Sequence, residues 1–194
     1  MKKYVSPIIT LVVATLGACY QPGKDSPSSN CSNLMATKSD SIARGKYLVI
    51  ALGCNDCHSA KSFGPHGPEL DTATLLAGYP SSRPIAKAPK ITGAPWVLFA
   101  PDLTAAVGPW GMSFAANITS DETGIGTWSE GQFITALRKG KYMGLEGSRQ
   151  LLPPMPWQGY SNLTDDDIKA IFQFLKSTKP VHNIVPAPIT SNKL

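Results

Sequence analysis

Three stretches of the chain place apolar residues at helical spacing, each fenced by polar or turn-forming residues. Residues 42 to about 52 follow Asp40 and Ser41, either of which can cap a helix, and run to Gly53, a residue suited to ending one. In the second stretch, 130–139, Ser129 and Gln132 stand in capping-box relation, Phe133 and Leu137 share a face, and Gly140 is the stop. In the third, Thr164 precedes Asp165, Asp166 and Asp167, an acidic run that suits the positive end of a helix dipole. Ile168, Ile171, Phe172 and Leu175 then recur at i, i+3, i+4 and i+7 and give one apolar face. Gly45, beside Tyr47 and Leu48, offers the small residue that a close crossing of the first and last helices needs.

Between the first two helices the pattern lapses. Residues 61–116 hold eight prolines and read as coil, with 96–100 and 112–116 as short strands of one hairpin. Such an insertion either shields one edge of a buried group or docks a partner. Shielding is favoured, because it would cover Trp96 and Trp110.

The N-terminus reads as an address. Lys2 and Lys3 precede a mostly apolar run over 5–16, too short to span a bilayer stably, and the small residues Gly17 and Ala18 lead to Cys19. The ending Leu16-Gly17-Ala18-Cys19 resembles a bacterial lipoprotein box, which implies removal of the signal peptide 1–18 and lipidation at Cys19. Several acyl chains on one residue hold durably, since each buried CH₂ contributes about 0.8 kcal/mol. The alternative is an ordinary secreted protein cut nearby; either way the chain works outside the cytoplasm. By resemblance to lipoprotein sorting, Tyr20 after Cys19 favours the outer membrane, with the domain on the periplasmic side. Residues 19–39 are polar and turn-rich, a flexible tether that includes Cys31. A single domain over 40–186 and a short tail over 187–194 complete the layout.

Composition narrows the function. At 194 residues, 42% hydrophobic and 16% charged, the chain is neither a disordered tail nor a multidomain machine. Its formal charge is +5, and loss of Lys2 and Lys3 leaves +3, with no basic stripe to suggest nucleic acid. Arg138, Lys139, Lys141 and Arg149 either complement a helix C-terminus or meet an acidic partner. Four cysteines are too few for a disulfide scaffold, so each is read for its own chemistry.

The strongest chemical signal is Cys54-Asn55-Asp56-Cys57-His58. Two thiols three residues apart, with an imidazole directly after the second, suit covalent haem attachment. Each thiol adds to a porphyrin vinyl group, and His58 ligates the iron. Zinc would need a second ligand pair, and a thioredoxin-type dithiol would need to follow a strand in a βαβ unit rather than a helix. The second axial ligand is open to Met35, Met112, Met143, Met155, His66 and His182. Met155 is preferred because Pro153, Pro154 and Pro156 stiffen its loop and hold the thioether at little entropic cost.

With these residues in place, the sequence resembles class I c-type cytochromes, specifically the monohaem cytochromes of bacterial respiratory and dehydrogenase chains. The likeness rests on Cys54 to His58, Gly67-Pro68-Glu69-Leu70, Asn117-Ile118-Thr119 through Thr123-Gly124-Ile125-Gly126 and Trp128, Pro153 to Trp157, and the last helix with Pro180-Val181. It implies an all-α domain around one haem c, interrupted by the Pro-rich insertion. It also implies that the Pro68 carbonyl accepts a hydrogen bond from the His58 ring, with Pro65 as the alternative, and that Met155 is the sixth ligand.

Saturation of the iron from both sides would leave no site for a substrate, so electron transfer is the implied activity and no catalytic residue is required. A membrane-anchored carrier exchanging electrons between a redox donor and an acceptor such as a terminal oxidase is the main expectation. The electron-transfer subunit of an alcohol- or aldehyde-type dehydrogenase is the alternative. A haem peroxidase or gas sensor is disfavoured, because no distal acid–base pair is visible beyond His66.

Overall fold

The first helix begins earlier than its apolar pattern. In the computed structural model, which describes residues 37–88 and 96–194, α1 spans Lys38–Ala51 with Thr37 as its N-cap. The Thr37 hydroxyl accepts from the Asp40 N–H at 3.2 Å, and the Asp40 carboxylate accepts from the Thr37 N–H at 2.9 Å. Asp40 is thus the third-position partner in a capping box, and the expected Asp40 or Ser41 cap is corrected to Thr37.

After Gly53 comes α2, Cys54–His58, one short turn. The predicted middle helix is α3, Glu130–Lys139, with both bonds of the Ser129–Gln132 capping box formed and Gly140 at its end. A brief α4, Trp157–Tyr160, precedes α5, Asp165–Lys176, where the Thr164 hydroxyl accepts from the Asp167 N–H at 3.1 Å.

These helices build the core. Leu48 and Val49 of α1, Phe133 and Leu137 of α3, and Ile168, Ile171, Phe172 and Leu175 of α5 are buried together, joined by Leu76 and Ile125 from the connections. Phe133 and Phe172 stack at 5.2 Å between ring centroids. Among the described elements α1 and α5 share the most extensive contact, and Gly45 lies at their crossing. A Cβ there would stand 2.6 Å from the Ala170 carbonyl carbon and 2.8 Å from the Phe174 Cβ, so no larger residue permits this approach. An ion pair between Arg44 and Asp167 at 2.9 Å spans the same two helices.

The expectation of an all-α, class I cytochrome c-like fold is overturned. Of the described residues 34% are helical and 15% lie in strands, arranged in two antiparallel sheets. β1 (Lys61–Gly64) and β2 (Gly67–Leu70) form a hairpin; β3 (Leu98–Phe99), β4 (Ala105–Gly108), β5 (Gly111–Phe114) and β6 (Ile189–Thr190) form a sheet in that order. The prolines that suggested coil lie mostly between strands: Pro101 falls between β3 and β4, and Pro109 in the turn between β4 and β5. The predicted pairing of 96–100 with 112–116 also fails, because β4 lies between them and pairs with both. Residues 187–194, the C-terminal tail, contribute β6, with Ile189 opposite Met112.

Shielding does not account for Trp96, which is 72% exposed. Trp110 is half-buried and donates its indole N–H to Ser113 at 3.2 Å. The signal peptide, Cys19, Cys31, Met35 and the tether as far as residue 36 lie outside the described residues; the last three tether residues are corrected to the Thr37 cap and first turn of α1. Among the described residues no helix is long and apolar enough to cross a membrane.

Candidate functional site

α2 presents Cys54 and Cys57 one helical turn apart, so their side chains emerge on the same face. Both are unpaired thiols. Cys54 packs against the helical core, as do Leu52, Trp128, Met155 and Tyr160. Burial pushes its thiol up to about 11, and burial also raises that of Cys57. Disulfide exchange needs the thiolate, which this burial disfavours. Among the described residues no group of three or more His, Cys, Asp and Glu side chains gathers as a metal set. Formation of a thioether, by contrast, leaves the sulfur uncharged and compatible with this setting. Tyr160 roofs the same region: its hydroxyl donates to the Leu52 carbonyl at 3.0 Å, and burial pushes it up to about 12.

His58 has one ring nitrogen committed. Nδ1 lies 2.7 Å from the Ala116 carbonyl oxygen, which can only accept, so Nδ1 carries the proton and the Nε2 lone pair remains for a metal. Burial lowers the ring's pKa against the opposing pull of the Ala116 bond, which favours the neutral imidazole that ligation requires. The expected role of Pro68 is therefore corrected to Ala116. Pro68 is exposed in β2, opposite Phe63 across the hairpin, and Pro65 is exposed in the turn between β1 and β2.

Met155 follows a loop held at several points. The Leu151 N–H donates to the Gly140 carbonyl at 2.6 Å, the Met155 N–H to the Leu152 carbonyl at 3.3 Å, and the Ser113 hydroxyl to the Pro153 carbonyl at 2.6 Å. The side chain packs on the same apolar cluster as Cys54. The other described candidates lie elsewhere. Met112 is buried within the second sheet, Met143 is exposed, His66 is exposed near the β1–β2 turn, and His182 sits on the surface 3.6 Å from Asp121. Two thiols and an imidazole with Nε2 available on α2, and a thioether packed on the same apolar cluster as Cys54, fit a covalently attached haem.

The basic cluster is largely spent within the chain. Arg138 pairs with Asp165 at 2.6 Å and donates to the Ser161 carbonyl; Lys139 pairs with Glu146 at 2.6 Å; Arg149 lies over the Tyr142 ring. Sequence reasoning missed Ala116, because a backbone acceptor has no side-chain signature, although the neighbouring Asn117-Ile118-Thr119 run had been marked.

No protein-family model matches the chain. It is similar to the cytochrome subunit of fructose dehydrogenase from Gluconobacter japonicus, at 30% identity over 182 residues, 93% of this chain and 28% of that protein. It is also similar to the cytochrome c subunit of a quinone alcohol dehydrogenase from Gluconobacter oxydans, at 40% identity over 142 residues, 72% of this chain and 22% of that protein. The cytochrome c subunit of gluconate 2-dehydrogenase from Pantoea cypripedii is 27% identical over 146 residues, 75% of this chain and 24% of that protein. The chain thus spans between 22% and 28% of the length of these relatives. The likenesses support a cytochrome c family. Each of these relatives is the cytochrome subunit of a dehydrogenase.

Proposed function

We propose that this chain is an exported electron-transfer cytochrome c that carries one haem c and serves a dehydrogenase complex as its cytochrome component. A dehydrogenase subunit is its electron donor and a second redox protein its acceptor. Cys54 and Cys57 form the thioethers, and His58 and Met155 ligate the iron. Cys19 carries the lipid anchor that holds the domain on the periplasmic side of a bacterial membrane.

One observation carries this reading: Cys54 and Cys57 lie one turn apart on α2, and the adjoining His58 has its Nδ1 committed to Ala116, which leaves Nε2 as the metal-facing nitrogen. When bound, the haem supplies one-electron chemistry. The protein's part is to hold the ligands still and keep water away. The apolar residues packed around Cys54 and Met155 supply the low-dielectric wall, and Pro153, Pro154 and Pro156 limit the freedom of the Met155 loop. The similarity to cytochrome subunits of dehydrogenases supports the complex-bound role over a free-standing carrier.

The test is expression of the full chain with a c-type haem maturation system, followed by denaturing mass spectrometry and acid-acetone extraction. The expected product keeps one haem mass through both treatments and copurifies with a larger redox subunit from its native membrane. A colourless product, or pigment released into acetone, would overturn the haem assignment; recovery without a redox subunit would overturn the complex-bound role.

A further inference from the structure

The Ala116 carbonyl that fixes the His58 ring is itself held in place from behind. Gly78 adopts φ +78° and lies directly against it: a Cβ on this residue would stand 2.6 Å from the Ala116 carbonyl oxygen and closer still to that of Ala115. Only glycine tolerates both that backbone conformation and that approach. The Gly78 N–H donates to the main-chain carbonyl of His58 at 2.7 Å. One residue therefore touches both the backbone of His58 and the acceptor of its ring. The neighbouring bonds, Tyr79 N–H to Ala115 at 3.0 Å and Ile118 N–H to Leu76 at 2.9 Å, lock 76–79 along 115–118.

Asn183 straddles this glycine. Its side-chain amide donates to the carbonyls of Ala77 and Tyr79, at 2.6 and 2.9 Å, and its side-chain oxygen accepts from the Ser81 N–H at 2.9 Å. Asn183 is only 7% exposed, and its own N–H donates to Thr123 at 3.0 Å. A buried amide that satisfies acceptors on both sides of Gly78 fixes the position of that loop, because releasing it leaves two buried carbonyls unpaired.

We infer that Gly78 and Asn183 are positioning residues for His58: together they hold the Ala116 carbonyl on Nδ1 and thereby set how strongly the imidazole donates through Nε2. The inference rests on the haem reading above. A bond from Nδ1–H to a carbonyl raises ligand basicity and favours oxidised iron. Loosening the clamp weakens that bond and raises the reduction potential.

The test uses the matured holoprotein in three variants. Asn183→Leu removes the amide without adding charge, and Gly78→Ala presses on the Ala116 carbonyl. Ser120→Ala breaks the bond from Ser120 to the Thr178 carbonyl, at 2.5 Å, and touches neither Gly78 nor Ala116. The readouts are the potential by spectroelectrochemistry and exchange of the His58 Nδ1 proton by NMR. Asn183→Leu is expected to raise the potential and to speed ring-proton exchange about tenfold, the scale of one hydrogen bond, while Ser120→Ala changes neither. Should Gly78→Ala fail to mature, Asn183→Leu decides alone. Attached haem with potential and exchange unmoved in Asn183→Leu overturns the inference. A wild-type chain that never binds haem covalently overturns instead the reading beneath it.

Discussion

His58 and Ala116 meet through a 2.7 Å hydrogen bond across 58 residues of sequence, and that bond ties the helical core to the segment leaving the second sheet. The intervening residues could have been a loose excursion. They return instead to the imidazole and choose its tautomer. A strand-bearing segment therefore orients the imidazole that α2 carries beside Cys54 and Cys57.

The two thiols make separable predictions. Cys57→Ser is expected to retain haem through the single Cys54 thioether, with a red-shifted α-band after reduction in alkaline pyridine. The double substitution Cys54→Ser with Cys57→Ser is expected to release its pigment to acid acetone. Pyridine haemochrome spectra and intact mass check both, and haem that stayed covalent in the double variant would place the attachment elsewhere.

Gly45 tests the helix crossing. In an ordinary exposed helix, Gly→Ala gains about 1 kcal/mol through propensity. Here the added Cβ meets the Ala170 backbone and the Phe174 Cβ rather than a flexible side-chain end. Overpacking of this kind costs about 1–3 kcal/mol and so outweighs the gain. Gly45→Ala is expected to lower stability in urea denaturation. A midpoint at or above that of the wild type would show that α1 and α5 can part without cost.

The helices were legible because their signals are local. The Ser129–Gln132 box, the Thr164 cap and the apolar face of Ile168, Ile171, Phe172 and Leu175 lie within a few residues of what they control. Of the second sheet only β3 and β5 were legible, at 96–100 and 112–116; β4 was missed because its residues are mostly small, and β6 because it arrives from beyond α5 to pair with β5. Cys54, Cys57 and His58 could be marked from spacing, and Met155 from its prolines. The acceptor for His58 could not, since every residue carries a carbonyl and only the return of 115–118 selects that of Ala116. Thr37 was missed as a cap because Asp40, its capping-box partner, is itself a good cap residue.

Asp102 gives the protein an acid-sensitive joint. Its carboxylate is 3% exposed, sits 2.7 Å from the Arg83 guanidinium and accepts from the Thr104 hydroxyl at 2.9 Å. Burial alone would raise its pKa, but the bonds from Arg83 and Thr104 prevail and hold it below the usual carboxylate range. Lys61 connects this joint to α2, donating to the Asp102 carbonyl at 2.9 Å and to the Asp56 carbonyl at 2.5 Å. With the folded pKa depressed, the contribution is complete above the unfolded value of about 3.9 and is lost as pH falls through the folded one. Asp102→Asn is therefore expected to be less stable than wild type at neutral pH, with the gap closing below about pH 4. Thermal melts across that range check it; a gap independent of pH would mean that the charge contributes nothing.

Met155 decides between a carrier and a ligand-binding haem protein. If its thioether is on the iron, the oxidised protein shows the weak near-infrared sulfur-to-iron band, and Met155→Ala loses it. The reduced variant then binds carbon monoxide rapidly, whereas the reduced wild type does not, because its sixth position is filled. Loss of the thioether also removes a ligand that favours the reduced state, so the potential falls. Met112→Ala separates ligation from packing: Met112 is buried between Val107 and Ile189 in the second sheet, so its removal costs about 2–5 kcal/mol of stability while the band persists. Absorption spectra, carbon monoxide mixing and denaturant melts on the two variants give opposite patterns if the assignment holds. A band that survived in Met155→Ala and vanished in Met112→Ala would transfer the ligand to the sheet.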